Sequence, residues 1–191
     1  MTTAVVVLID GFEEIEALAT VDILRRGGVD VTTASLTESR TVTGSHAIPV
    51  QADAMFADVD AQGADVLVVP GGTTAFNDHE GLKKEIVARA KSDKYVASIC
   101  AAPMVLGGLG LLKGKNATCY PGFEKYCDGA TMLDVPAVVD GKIITGHGPG
   151  WALEFALTIL AEVVSAQTAE DVRAGLLLDL SLIHISEPTR P

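Results

Sequence analysis

The chain has 191 residues, 48% of them hydrophobic, so it is long and apolar enough to form one sizeable core and is not a disordered chain. Its formal net charge of -11 argues against nucleic acid or an anionic membrane surface as the main partner. The three cysteines lack C-x-x-C spacing and the four histidines are scattered, which disfavours a disulfide framework or a metal site and indicates a reducing compartment.

The N-terminus carries no pattern of a signal peptide. It lacks a basic segment, and its apolar run stops at Asp10. The longest apolar helical stretch, residues 151–164, contains two glutamates and is too short to span a bilayer. We therefore expect a cytoplasmic protein without a membrane partner.

The first half of the chain alternates buried strands with an amphipathic helix. Apolar runs predict strands at residues 4–9, 29–35 and 66–69. Residues 13–26 predict a helix, because acids in its first turn and arginines in its last turn match the helix macrodipole. Gly27 and Gly28 then end it.

The second half continues the same alternation. Strands are predicted at residues 95–99, 137–139 and 143–145, and the turn Asp140-Gly141 joins the last two as a hairpin. Helices are predicted at residues 81–92, from about Ala102 to the glycines at 107–110, at residues 151–165 and at residues 169–178.

This alternation predicts a single α/β domain over residues 1–180, with a mainly parallel sheet and helices on both faces. The active crevice of such a sheet lies at the carboxyl ends of its strands, which points to the loops at residues 10–16, 70–77 and 100–103. Residues 181–191 hold two prolines and resemble translated vector or adaptor sequence. We interpret them as a non-native or disordered tail without chemistry.

Cys100 lies where an apolar strand pattern ends and small residues begin. The pattern predicts a strand that turns sharply into a helix, with the cysteine at the corner as in a nucleophile elbow. Amides at a helix N-terminus favour a thiolate, so we expect a lowered pKa and a reactive Cys100 thiol. The alternative is a buried cysteine that packs as a small apolar residue.

Glu16 is the candidate partner of this thiol. It lies among apolar residues where the helix faces the sheet, so its carboxyl needs a partner and is able to share a proton with Cys100. Glu13 and Glu14 are expected to be solvated charges of the first turn. The backbone N–H groups of Gly72 and Ala101 are candidates to hold an oxyanion, although Pro70-Gly71-Gly72 is also typical of a plain tight turn.

Five short motifs together resemble the ThiJ/PfpI superfamily, on the branch of the parkinsonism-associated deglycase DJ-one. They occur in family order and cover the chain from about Ala4 to Leu180. The motifs are Gly11-Phe12-Glu13-Glu14-Ile15-Glu16, Val21-Asp22-Ile23-Leu24-Arg25-Arg26, Leu67-Val68-Val69-Pro70-Gly71-Gly72, Ile99-Cys100-Ala101-Ala102-Pro103 and Gly148-Pro149-Gly150.

The resemblance implies a flavodoxin-like sandwich that forms a homodimer and needs no cofactor. It implies that Cys100 is the nucleophile, Glu16 its proton partner, and Gly72 and Ala101 the amide pocket. The implied activity is glutathione-independent glyoxalase or deglycase chemistry on a small aldehyde or glycated substrate, converting methylglyoxal to lactate. An oxidative-stress sensor or holdase chaperone using the same cysteine is the alternative. A protease is disfavoured, because the peptidase-like branch has histidine where this chain has Ala101.

Tyr120 departs from the pattern of the deglycase branch, which has a histidine at this place. Tyrosine is a poor proton shuttle at neutral pH, so another base is needed or the chemistry is slow. His46, from this chain or a partner subunit, and His147 are candidate accessory residues, although both also suit ordinary surface or packing roles. Cys119 and Cys127 are expected to fill core or loop space, or to include a resolving thiol.

Overall fold

The computed structural model describes residues 1–178, so the predicted tail at residues 181–191 lies outside the described residues. In this part of the chain no helix has the length and hydrophobicity needed to cross a membrane. The strands are β1 (Thr3–Leu8), β2 (Asp30–Ser35), β3 (Thr41–Thr43), β4 (Pro49–Gln51), β5 (Ala54–Met55), β6 (Val66–Val69), β7 (Tyr95–Ile99), β8 (Asn116–Ala117), β9 (Thr131–Met132), β10 (Ala137–Asp140) and β11 (Ile143–Gly146). The helices are α1 (Glu14–Arg26), α2 (Glu80–Arg89), α3 (Pro103–Gly108), α4 (Ala152–Val163) and α5 (Ala166–Gly175).

A mainly parallel sheet organises the described residues. Its seven strands there have the order β10-β11-β7-β6-β1-β2-β5, in which the β10–β11 pair is antiparallel and the other pairs are parallel. Two shorter pairs, β3–β4 and β8–β9, lie outside this sheet. The prediction of a flavodoxin-like α/β fold is therefore confirmed.

Alternate residues of β1 point into two apolar layers. Val5 and Val7 pack in the layer that contains the apolar residues of α2 and α3. Ala4 and Val6 pack in the layer that contains those of α1, α4 and α5. Because side chains of a strand alternate between the two faces, helices cover both sides of the sheet as predicted.

The observed elements differ from the predicted ones mainly at their ends. Helix α1 begins at Glu14, because the Glu13 side chain accepts a 2.7 Å hydrogen bond from the Glu16 N–H and so acts as the N-cap. Helix α5 begins at residue 166, three residues before the predicted start, because the Ser165 hydroxyl caps it by accepting from the Thr168 N–H. Helix α3 has six residues and begins at Pro103, one residue after its predicted start. The short strands β3, β4, β5, β8 and β9 were not predicted.

The carboxyl ends of β1, β6 and β7 are neighbours in the sheet, and the loops that follow them meet at one edge. The loop after β1 leads to Glu16, the loop after β6 contains Gly71 and Gly72, and Cys100 follows β7 directly. Strand order alone therefore brings the predicted site residues to one place.

Gly107 in α3 allows the helix to pack against the loop that ends at Cys127. A Cβ at Gly107 would lie 2.0 Å from the Tyr126 carbonyl oxygen and 2.9 Å from the Cys127 Cα. At Gly108 the nearest atom would be Asn77 Oδ1 at 3.6 Å, an ordinary contact.

We expect Gly107→Ala to lower the free energy of unfolding by about 1–3 kcal/mol, because backbone atoms must move to accept the methyl group. The neighbouring Gly108→Ala is the matched control and should be neutral or stabilise by up to about 1 kcal/mol through helix propensity. Urea unfolding of the three proteins measures both effects. Equal stabilities for the two variants would contradict this packing.

Candidate active site

Cys100 occupies a strained turn between β7 and α3. Its φ of 64° lies in the left-handed region, which costs a non-glycine residue about 1–2 kcal/mol. Two hydrogen bonds hold this conformation: the Cys100 N–H donates to the Gly146 carbonyl at 3.0 Å, and the Cys100 carbonyl accepts from the Tyr120 N–H at 2.8 Å. The thiol is consequently fixed at the predicted corner, with 8% of the residue exposed.

Glu16 brings a fully buried carboxyl to the same place. The residue has 0% exposure, and its Oε2 accepts a hydrogen bond from the Gly71 N–H at 2.7 Å. Its Oε1 is also buried and has no hydrogen-bond partner among the described residues, and the Cys100 thiol lies against the same carboxyl. Sequence reasoning placed Glu16 beside the thiol but missed Gly71 as its donor.

The two glycines after β6 leave room for this approach. A Cβ at Gly71 would lie 2.8 Å from Glu16 Oε2 and 3.0 Å from Cys100 Sγ, so the carboxyl and the sulfur flank the same point. Gly72 has a φ of 90°, and a Cβ there would lie 2.3 Å from the Glu13 backbone nitrogen. A side chain at either position would displace the loop from the site.

The sulfur of Cys100 accepts hydrogen bonds from two backbone N–H groups, those of Gly72 and Ala101. These are the two amides that sequence reasoning named as a pocket for negative charge. Because α3 has six residues and begins only at Pro103, these individual amides, and not a long helix dipole, supply the local positive potential.

The pKa values of the two acids correct one expectation. Burial raises the pKa of Glu16 from 4.5 to about 7, and the nearby Glu13 charge adds to that rise. Burial and the Glu16 carboxylate raise the pKa of Cys100 to about 12, against the smaller opposite effect of the Ala101 and Gly72 amides. The prediction of a lowered Cys100 pKa is therefore wrong for the thiol beside an ionised Glu16, because desolvation and like charge outweigh two amides.

The two shifts mean that the pair retains one proton between about pH 7 and pH 12 and two protons below about pH 7. In the one-proton state the thiol holds the proton beside a carboxylate. The thiolate becomes available when the proton moves to Glu16, since a protonated carboxyl no longer repels it. The arrangement is that of a thiol with its own general base.

Glu13 and Glu14 are buried, not solvated as expected, with 7% and 4% exposure. Glu13 caps α1, as described above. Glu14 accepts hydrogen bonds from the His46 N–H at 2.7 Å and the Ser45 hydroxyl at 3.1 Å, and His46 Nδ1 lies 2.9 Å from its Oε2. Despite the cost of burial, these hydrogen bonds lower the pKa of Glu14 to about 2.

The candidate accessory residues differ in burial and in the groups that they contact. His46 is exposed and pairs with Glu14, which raises the pKa of the histidine. His147 Nδ1 lies 3.0 Å from the Thr118 hydroxyl, and its Nε2 lies 3.8 Å from Asp134. Tyr120 is 45% exposed and touches the site through its backbone N–H. Within residues 1–178 no histidine side chain hydrogen-bonds to Cys100 or Glu16.

Glu13, Glu14 and His46 also form a group whose possible metal-ligand atoms lie within 4.8 Å of one another. Their oxygens already serve the α1 cap and the His46 contact. This cluster therefore has a complete structural explanation in the described residues, and it ties the turn after β3 to the start of α1.

Comparison with known proteins gives a consistent result. The model of the DJ-1/PfpI family matches residues 2–162. Protein DJ-1 homolog B of Arabidopsis thaliana is 36% identical over 173 residues, which are 88% of this chain and 40% of that protein, so the chain spans less than half of this relative. A deglycase of Pyrococcus abyssi is 33% identical over 76% of this chain and 92% of its own length. The crystal structure of Drosophila melanogaster DJ-1beta superposes with a TM-score of 0.88, at 34% identity, over 92% of this chain and 97% of that one.

The raised pKa of Glu16 predicts how Glu16→Gln changes stability with pH. Since the folded-state pKa exceeds the unfolded value of 4.5, the protonated carboxyl contributes stability below pH 4.5 that is lost as pH rises to about 7. The wild type should therefore lose about 3 kcal/mol relative to Glu16→Gln between pH 4.5 and pH 8. Urea unfolding at a series of pH values measures the difference. A pH-independent difference would show that Glu16 titrates normally.

Proposed function

This chain belongs to the DJ-1/PfpI family, and on that premise we propose that it is a cysteine-dependent enzyme acting on small reactive carbonyls, of the glyoxalase or deglycase type. The observation that carries the proposal is the buried Glu16 carboxyl, with a pKa of about 7, beside the Cys100 thiol. A relative from Pyrococcus abyssi bears the name deglycase. A buried thiol that only fills space has no need of an adjacent buried carboxyl, which costs stability.

In the first step Cys100 attacks the aldehyde carbon of methylglyoxal. The Glu16 carboxylate takes the thiol proton as the C–S bond forms, and the carbonyl electron pair moves onto oxygen. The N–H groups of Gly72 and Ala101, which point at the sulfur, are placed to hold the new oxyanion. Glu16 then returns its proton to that oxygen, which completes a hemithioacetal.

The remaining steps move protons and then add water. Removal of the proton from the hemithioacetal carbon and its return to the neighbouring ketone carbon oxidise the first carbon and reduce the second. This internal redox change needs no cofactor and leaves a lactyl thioester on Cys100. Attack by water on the thioester breaks the C–S bond, releases lactate and restores the thiol.

Glu16 suits this repeated proton transfer without help from a histidine. A group with a pKa near the working pH both accepts and donates protons efficiently. The pKa of about 7 meets that condition, whereas an exposed carboxyl does not. Because Glu16 performs the proton transfers, Tyr120 in place of the branch histidine is compatible with turnover. The contact of Tyr120 with the site is made by its backbone N–H, which holds the Cys100 turn.

We expect the purified protein to release lactate from methylglyoxal without added cofactor. Cys100→Ser should abolish release, and Glu16→Gln should lower kcat by about 10²-fold, the usual scale for a general acid–base group. In the wild type, kcat/KM should rise about tenfold per pH unit up to pH 7 and then level off, because the carboxylate is the active form.

The matched control is Glu38→Gln, the same chemical change at an exposed position, which should leave turnover unchanged. Lactate is measured with a stereospecific dehydrogenase assay. Wild-type turnover in Glu16→Gln would contradict the proton-transfer role. Lactate release by Cys100→Ser would remove Cys100 as the nucleophile.

The second candidate function is oxidative-stress sensing or holdase action through the same thiol. The observation that favours it is the surplus of hydrogen-bonding groups at the sulfur: two amides and the otherwise unpartnered Glu16 Oε1. A sulfinate on Cys100 would accept from the amides and from a protonated Glu16. Absence of lactate release, together with peroxide oxidation that begins at Cys100 and stops at sulfinate, would favour this function over the first.

We further propose that the protein is a homodimer in which α1 contributes to the interface. Ile15 and Leu18 lie on the outer side of α1 with 58% and 38% exposure, and Ile48 in the β3–β4 turn is 50% exposed. Exposed apolar groups of this size are typical of surfaces that pair with a copy of themselves.

Light scattering at micromolar concentration should give about twice the chain mass of 19.8 kDa. Leu18→Glu should shift the protein towards the monomer, because it places a charge in the apolar interface. Leu177→Glu, which changes an exposed leucine two residues after the end of α5, is the control and should remain dimeric. A monomer mass for the wild type would contradict the proposal.

A further inference from the structure

Cys119 and Cys127 form a pair of buried thiols distinct from Cys100. Their residues are 3% and 2% exposed and belong to one apolar cluster. Their side chains hydrogen-bond to each other. Sequence reasoning assigned them separately to packing or to a resolving role, since eight positions of sequence separation do not indicate contact.

Successive tight turns between the two cysteines produce this contact. The Phe123 N–H donates to the Tyr120 carbonyl at 3.0 Å, and the Tyr126 N–H donates to the Phe123 carbonyl at 2.9 Å. The two thiols donate hydrogen bonds to the same carbonyls. Cys119 Sγ lies 3.5 Å from the Tyr120 oxygen, and Cys127 Sγ lies 3.9 Å from the Phe123 oxygen. These turns fold residues 119–127 into a compact loop, and the two cysteine side chains meet within it.

Cys119 also lines a cavity through which a small molecule can approach. The cavity has a volume of about 350 Å³. Its wall includes Glu124, Met132, Asp134 and His147 beside Cys119. A hydroperoxide is small enough to enter this space. Although both cysteines are buried, the cavity therefore gives a hydroperoxide access to Cys119.

We propose that Cys119 and Cys127 are a second redox site, which a hydroperoxide converts to an intramolecular disulfide without the participation of Cys100. The Cys119 sulfur, as thiolate, attacks one peroxide oxygen. An S–O bond forms, the O–O bond breaks, and the departing alkoxide takes the released proton to become an alcohol. The Cys127 sulfur then attacks the resulting sulfenic acid, the S–O bond breaks, and water leaves. Two thiols and one hydroperoxide thus give one disulfide, one alcohol and one water.

The contact between the sulfurs assists the first step. A hydrogen bond from Cys119 lowers the pKa of Cys127, while the same contact and burial raise the pKa of Cys119. The first proton therefore leaves from Cys127, and the proton that remains lies between the two sulfurs. When that proton sits on Cys127, the Cys119 sulfur faces the cavity as the nucleophile.

Peptide mapping tests the proposal directly, because trypsin separates all three cysteines. The expected peptides are residues 95–113 with Cys100, residues 116–125 with Cys119 and residues 126–142 with Cys127. Reduced full-length protein is treated with a small excess of hydrogen peroxide, blocked with N-ethylmaleimide and digested. We expect the second and third peptides to be joined, about 2 Da lighter than their sum, and to separate on treatment with dithiothreitol.

Two variants separate this reaction from chemistry at Cys100. Cys100→Ala should give the same yield of the joined peptides, because Cys100 takes no part. Cys127→Ser should give none, and its Cys119 should advance to acids that dithiothreitol does not reduce. The wild-type result needs no variant to fold, so the proposal is testable even if a variant is unstable.

Persistent maleimide labelling of both cysteines after peroxide treatment would overturn the proposal and leave them as packing residues. A joined product of residues 95–113 and 116–125, lost in Cys100→Ala, would overturn it differently, since Cys119 would then be a resolving thiol for Cys100. Neither result bears on lactate release, so the proposed carbonyl chemistry stands or falls separately.

Discussion

The proton shared between Glu16 and Cys100 is the interaction on which the rest of the site depends. Neither group is in a favourable environment alone: the carboxyl is fully buried and the thiol is almost so. Together they carry two protons below about pH 7 and one proton above it, which limits the buried charge to one and keeps it beside the Gly71, Gly72 and Ala101 amides. Gly71 and Gly72 have no side chain, so the loop after β6 approaches closely enough to bring its amides to both groups.

The other buried glutamates at the start of α1, Glu13 and Glu14, are also stabilised by hydrogen bonds from specific partners. Glu13 holds the Glu16 N–H, which orients the first turn, and its charge helps to raise the Glu16 pKa. Glu14 hydrogen-bonds to Ser45 and His46 and so links the turn that contains them to helix α1. Three acids within four positions therefore do three separate tasks, and each task is set by its partners and not by its residue type.

Sequence patterns predicted what is local or periodic. The alternation of apolar runs with helical segments predicted a mainly parallel sheet, and the small residues after Cys100 predicted the thiol at a strand–helix corner. What they missed depends on distant contacts. The burial of Glu14 comes from a turn about thirty positions away, and the Cys100 pKa depends on a balance of burial, charge and amides that only coordinates provide. The Cys119–Cys127 contact likewise follows from turns that no short motif encodes.

The left-handed backbone at Cys100 places function and stability in opposition at a single residue. Glycine adopts this conformation freely and would relieve about 1–2 kcal/mol of steric cost, more than the 0.5–1 kcal/mol that its greater freedom in the unfolded chain takes back. It would also remove the thiol that Glu16 is buried to serve. A chain selected for stability alone would carry glycine at this position, so the proposed nucleophile stands where a cysteine lowers the stability of the fold.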